Sequence, residues 1–234
     1  MIEYLAKSNQ FGKECAHGLF VERWFIIMEG YNYLAIGNSI TRHGYSEYWW
    51  SDCGMAATTP DNDYFHIVCE KLKNRGAVEG YPFDFCLWEV QSTDRAETMT
   101  LLDPYLNDSL NLITIQLGEN VKDLNTYAKD LGELILHIQS MASNAQVVVI
   151  GDFWNSKRSA MQRAVAISCN VPFVDLDDIH GNAEFQIGLN AMVTGDDGEK
   201  HMVTHGGVAL HPNDKGMQII ADRVIQAINR NGTA

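Results

Sequence analysis

The feature that most constrains this chain is the recurrence of short, largely apolar runs separated by amphipathic stretches. Such runs stand at 33–36, 83–88, 112–117, 146–153 and 172–176, each bounded by polar or turn-forming residues. Strands that are apolar on both faces belong in a sheet covered by helices on both sides. Between the third and fourth runs, Leu124, Tyr127, Leu131, Leu134, Ile135, Ile138 and Met141 recur at helical spacing and mark one helical face. Met217, Ile220, Ala221, Val224, Ile225 and Ile228 repeat the pattern near the end of the chain, with Asn213 or Asp214 placed to cap the first turn. Helices are also expected over 63–74, closed by Gly76, and over 157–169. The alternation predicts an α/β fold with a five-stranded, mostly parallel sheet.

A length of 234 residues suits one such domain, assigned here to 31–234. Residues 1–30 have weak periodicity and read as a separate N-terminal extension of undefined role. With 46% apolar and 20% charged residues, the composition excludes a disordered chain. The formal charge of −13 repels phosphate backbones and anionic lipid, so neither nucleic acid nor a membrane surface is an expected partner. The most apolar stretch, 18–30, is interrupted by Glu22, Arg23 and Glu29. Cys15, Cys53, Cys69, Cys86 and Cys169 form no CxxC pair and are odd in number, which favours a reducing compartment. The start of the chain has no secretory-signal pattern, so the expected location is cytoplasmic. Oligomeric state is not indicated.

The segment YLAIGNSIT, 33–41, runs from an apolar strand into Gly37, Asn38 and Ser39. A glycine turn there would display the Ser39 hydroxyl beyond the carboxyl end of the strand, the edge where open α/β sheets bind ligands. Taken alone, these are the residues any loop uses. A serine nucleophile needs a base, and His211 in LHPNDKGM is held between an extended pre-proline backbone and a helix cap. Acyl transfer further needs donors for an oxyanion, for which Gly54 in SDCGMAA and Asn120 in QLGENV are the candidates.

In this order, GNSIT, Gly54, GEN and HPNDKG resemble the four blocks of the SGNH hydrolases, also called GDSL-type esterases, over about 31–229. WWSDCGMAATTPDNDYFH and VVVIGDFW look like a bacterial subgroup associated with deacylating carbohydrates. The resemblance implies a flavodoxin-like three-layer α/β/α domain and a serine esterase acting on a small or carbohydrate-linked O-acyl ester, such as an O-acetyl ester. It implies no metal and no cofactor. Carried over by position, Ser39 is the nucleophile, His211 the base, and the amides of Ser39 and Gly54 with the Asn120 side chain form the oxyanion hole.

The departures are specific. Where the family's DxxH block places an aspartate, this chain has Val208. His211 is then oriented by a carbonyl of the 208–210 loop, or by a carboxylate among Asp178, Asp196 and Asp197, or the site is weak and the fold serves binding instead. Asn38 stands where Asp is frequent, and Val121 where GxND ends in Asp. His201, His205 and His211 raise a metal-site reading, which Gly206, Gly207 and two β-branched neighbours disfavour as a helical arrangement. Cys53 reads as structural. Tyr45, Tyr48, Trp49 and Trp50 either edge the site or pack beneath its loop, and Glu119 either anchors the loop or contacts substrate.

Overall fold

A computed structural model describes residues 30–230. The N-terminal extension therefore lies, but for Gly30, outside the described residues, as does the C-terminal tail. The elements are β1 (Tyr31–Gly37), α1 (Tyr64–Leu72), β2 (Val78–Asp84), α2 (Cys86–Val90), α3 (Arg95–Met99), β3 (Leu112–Gln116), α4 (Tyr127–Met141), β4 (Gln146–Ile150), α5 (Ser156–Ser168), β5 (Phe173–Val174), β6 (Met192–Thr194), β7 (Lys200–Met202), α6 (Gly206–Ala209) and α7 (Asp214–Arg230). Strands β1 to β5 form one sheet in the order β2-β1-β3-β4-β5, with every pair parallel. That is the flavodoxin-like order, and its direction reverses between β1 and β3.

Alternate residues of each strand feed the two sides of the sheet. Leu34, Ile36, Ile113, Ile115, Val147 and Val149 pack with α4 and α5, while Tyr33, Ala35, Leu112, Val148 and Ile150 pack with α1 and α7. A third apolar cluster, with Trp49, Cys53, Met55 and Val208, lies under the loops near the β6-β7 hairpin. The helix caps are local. Asp63 accepts the His66 N–H at 2.7 Å to start α1, and Asn213 accepts the Gly216 N–H at 3.0 Å to start α7. Asp214 instead ties α7 to the Thr58 N–H at 2.8 Å. Among the described residues no helix is long and apolar enough to cross a membrane.

The second strand differs from expectation. It spans Val78–Asp84 rather than 83–88, with Phe83 beside Ile36 and Asp84 beside Gly37. The Asp84 carboxylate accepts the Cys86 N–H at 3.0 Å, and the chain turns there into α2. As an edge strand β2 is largely exposed and tolerates Gly80 and Pro82, so it lacks the buried, largely apolar run of an inner strand. The β6-β7 hairpin had no counterpart in the sequence reading.

Candidate active site

Three chain-distant segments meet at the carboxyl edge of the sheet, where the strand order reverses. Ser39 follows β1, Asn120 follows β3, and His211 stands between α6 and α7. All three border a cavity of about 250 Å³, together with His43, Tyr48, Met55, Asp84, Cys86, His205 and Val208. Gly37 permits the turn after β1: a Cβ there would lie 1.9 Å from the Thr41 hydroxyl and 2.9 Å from the Gln116 carbonyl.

Ser39 Oγ lies 2.8 Å from His211 Nε2, across 172 residues of sequence. On the other side of the ring, His211 Nδ1 lies 2.8 Å from the Gly207 carbonyl oxygen. A carbonyl can only accept, so Nδ1 carries the proton and Nε2 presents its lone pair to the Ser39 hydroxyl. Burial pushes the His211 pKa down to about 4, with His43 and His205 adding to the shift and the Gly207 bond opposing it. The ring is therefore neutral at pH 7 and able to accept the hydroxyl proton.

What orients the ring is the carbonyl of Gly207, one residue before the 208–210 loop expected to supply it. None of the three candidate carboxylates does so. Asp178 forms an ion pair with Arg223 at 2.6 Å, Asp196 accepts from the Tyr45 hydroxyl at 2.7 Å and the Asp52 N–H at 2.9 Å, and Asp197 pairs with His201 at 2.8 Å. Val208 is 1% exposed and belongs to the apolar cluster with Trp49 and Met55. Trp154 reinforces the loop: its indole N–H donates to the Leu210 carbonyl at 2.8 Å and its ring meets the His211 ring edge-on at 4.9 Å.

Gly54 does not join this group. Its N–H donates to Asp63 Oδ2 at 2.9 Å, and Asp63 is fully buried. Its small size serves packing, because a Cβ there would lie 2.6 Å from the Ile40 carbonyl and 2.9 Å from the Asp63 side chain. It also precedes β2, whereas the segment that borders the cavity after β2 supplies Asp84 and Cys86. The Ser39 N–H makes no hydrogen bond among the described residues, and Asn120 borders the same cavity.

Behind Asn120 lies a buried polar network that sequence reading did not find. Glu89 accepts from Asn120 Nδ2 at 2.7 Å and from Asn38 Nδ2 at 3.1 Å, and Glu119 accepts from Asn38 Nδ2 at 2.8 Å, Gln116 Nε2 at 2.7 Å and the Phe153 N–H at 3.0 Å. Glu119 is thus an anchor of the loop. Burial, with Asp152 and Glu89 nearby, raises its pKa well above the usual carboxylate range.

The aromatic residues divide. Trp49 is core, Tyr48 borders the cavity and stacks on His205 with ring centres 4.3 Å apart, and Trp50 stacks on His201 at 4.4 Å. The histidines of the metal reading serve separate partners, and no group suited to holding a metal occurs among the described residues.

No family model matches the sequence. No curated protein matches it. Solved structures do match in fold. A protein from Parabacteroides merdae described as a GDSL-like lipase aligns at 15% identity and TM-score 0.51, over 85% of this chain and 95% of that one. An acetylxylan esterase from Geobacillus stearothermophilus, solved as a catalytic mutant, aligns at 15% identity and TM-score 0.52, over 85% of this chain and 94% of that one. A two-domain esterase active on acetylated mannans aligns at 16% identity and TM-score 0.55, over 88% of this chain and 51% of that one, so this chain spans about half its length. The fold is the SGNH-hydrolase fold implied by the sequence blocks.

Proposed function

We propose that this protein is a serine esterase that hydrolyses a small or carbohydrate-linked O-acyl ester, such as an O-acetyl ester, through an acyl-enzyme on Ser39. The observation that carries the reading is the 2.8 Å contact from Ser39 Oγ to an imidazole nitrogen whose lone pair is fixed by the Gly207 carbonyl on the other side of the ring. His211 takes the Ser39 proton as Oγ attacks the ester carbonyl, and the oxyanion is met by the Ser39 N–H and the Asn120 amide. His211 then protonates the leaving alcohol, and a water activated by the same nitrogen releases the acid. The small cavity and its mixed polar and aromatic lining fit an acetyl group on a hydroxylated alcohol. The acetylated glycans named for two of the structural relatives support that class. Ser39→Ala should abolish hydrolysis of a chromogenic acetate and leave thermal unfolding unchanged, whereas retained turnover would remove the assignment.

A second reading rests on Val208, which seals an apolar cluster where the related pattern has a carboxylate. On that reading the fold binds esters with little turnover. A purified protein that binds an acetylated oligosaccharide but neither hydrolyses it nor reacts with a fluorophosphonate would establish it.

A further inference from the structure

A carboxylate buried behind the cavity is the group the proposed chemistry has not used. Glu89 is 1% exposed and lies in α2, a short helix that follows the edge strand. Its backbone is pinned by Arg95, which donates to the carbonyls of Trp88 at 3.1 Å and Glu89 at 3.2 Å and is itself paired with Asp130 at 2.7 Å. The side chain accepts from the backbone N–H groups of Gly118 and Asn120, from Asn120 Nδ2 and from Asn38 Nδ2. Every one of these is an N–H donor, so the arrangement calls for an ionised carboxylate. Burial raises the Glu89 pKa, and the N–H groups of Asn120, Gly118 and Asn38 oppose that rise.

An asparagine amide has two N–H bonds on one atom and a carbonyl oxygen on the other, and rotating it by half a turn exchanges them. Asn120 Nδ2 gives one N–H to Glu89 Oε2, and its other N–H has no acceptor among the described residues. In the opposite rotamer the Asn120 carbonyl oxygen would face a carboxylate oxygen at that 2.7 Å contact, an unfavourable encounter in a buried site.

We propose that Glu89 is a positioning residue of the esterase, holding the Asn120 amide with its nitrogen toward the site of the oxyanion. This rests on the functional reading above. In this chain the buried charge behind the site therefore orients the oxyanion donor, while a neutral carbonyl orients the base. The effect runs against simple electrostatics. A carboxylate near a developing oxyanion repels it, so a Glu89 with no orienting role would slow the reaction, and its neutralisation would leave turnover unchanged or raise it.

The test is Glu89→Gln in the full chain, assayed on a chromogenic acetate ester. Gln keeps the shape and can still accept from Gly118, but it presents an N–H where Asn120 Nδ2 needs an acceptor, and the Asn120 amide should rotate. The expected result is a fall in kcat of roughly 10- to 100-fold with KM nearly unchanged, short of the roughly 10²- to 10³-fold expected for loss of the donor in Asn120→Ala. In the Asn120→Ala background the same change should alter kcat by less than about 3-fold, because Glu89 acts through that amide. An unchanged or higher kcat, or a full additional loss in the Asn120→Ala background, would overturn the proposal. A readout on the unmodified protein covers failure of the variant to fold. The Asn120 side-chain amide, assigned by its disappearance in Asn120→Ala, should show one proton shifted downfield and protected from exchange, and two freely exchanging protons would equally overturn it. If Ser39→Ala hydrolyses the ester normally, the esterase reading itself fails. If only the Glu89 results fail, that reading stands.

Discussion

Asn38→Asp, an exchange of the side-chain amide nitrogen for oxygen, should be destabilising in this chain, and more so as pH rises. Asn38 is fully buried, and its Nδ2 bridges Glu89 Oε1 at 3.1 Å and Glu119 Oε2 at 2.8 Å. An aspartate would set a third carboxyl oxygen against those two. Burial alone disfavours an ionised carboxyl there, and any ionised neighbour about 3 Å away adds a repulsion of roughly 5 kcal/mol at an effective dielectric of 20, so the new group would be held protonated at neutral pH. Keeping a carboxyl of normal pKa near 3.9 protonated at pH 7 costs about 4 kcal/mol, and only one of the two donated hydrogen bonds survives, which removes roughly 1.5–3 kcal/mol more. A total of roughly 6–7 kcal/mol is an upper figure, since the side chains relax. The sign of the pH dependence follows from the raised folded-state pKa. Above about pH 4 the unfolded state has released that proton and the folded state has not, so stability relative to wild type falls by about 1.4 kcal/mol per pH unit. Urea unfolding at pH 5 and pH 7 measures this. A variant as stable as wild type, or one penalised more at pH 5 than at pH 7, would refute the account of the network.

The other expectations concern the His211 side of the site. His211→Ala should reduce kcat on an acetate ester about as severely as loss of Ser39, by roughly 10⁴-fold or more, measured in the same assay. With the His211 pKa pushed down to about 4, the acid limb of kcat/KM should fall well below the pH 6.5 of an ordinary imidazole, and a limb at 6.5 would contradict the buried neutral ring. The same shift makes the wild type lose stability on acidification. Between about pH 6.5 and 4 the unfolded state binds the proton first, and about 3 kcal/mol of stability drains away, readable from urea midpoints. Val208→Asp should raise the His211 pKa and move the acid limb upward, at a cost of roughly 1–3 kcal/mol for a carboxyl placed among Trp49, Cys53 and Met55.

Legibility in the sequence followed burial and local pattern. The runs that became β1, β3 and β4 are inner strands, apolar on both faces, and the stripes of α4 and α7 cover the sheet directly. The edge strand β2 is hard to place from sequence because Gly80 and Pro82 break its pattern, and the apolar CLW that follows belongs to a helix. Ser39 and His211 stand out in the sequence because each sits in a motif with its own turn or cap, and the fold brings the two within 2.8 Å. Gly54 illustrates the limit of that approach, since a glycine selected for close packing and one selected to expose an N–H look alike in a sequence. Glu89 gave no signal. Its partners Asn120 and Asn38 lie 31 and 51 residues away, and a lone acid in LWEV reads as an ordinary surface residue. Trp154 closes the segment VVVIGDFW, but its grip on the Leu210 carbonyl depends on contact across 56 residues.

The account stands on Ser39 being activated by His211. Treatment with a fluorophosphonate, followed by mass spectrometry of the digested protein, reads that activation directly. The expected adduct is on Ser39 in the wild type and is lost in His211→Ala, while absence of the adduct from the folded wild-type protein, or equal labelling of the His211→Ala variant, would contradict it.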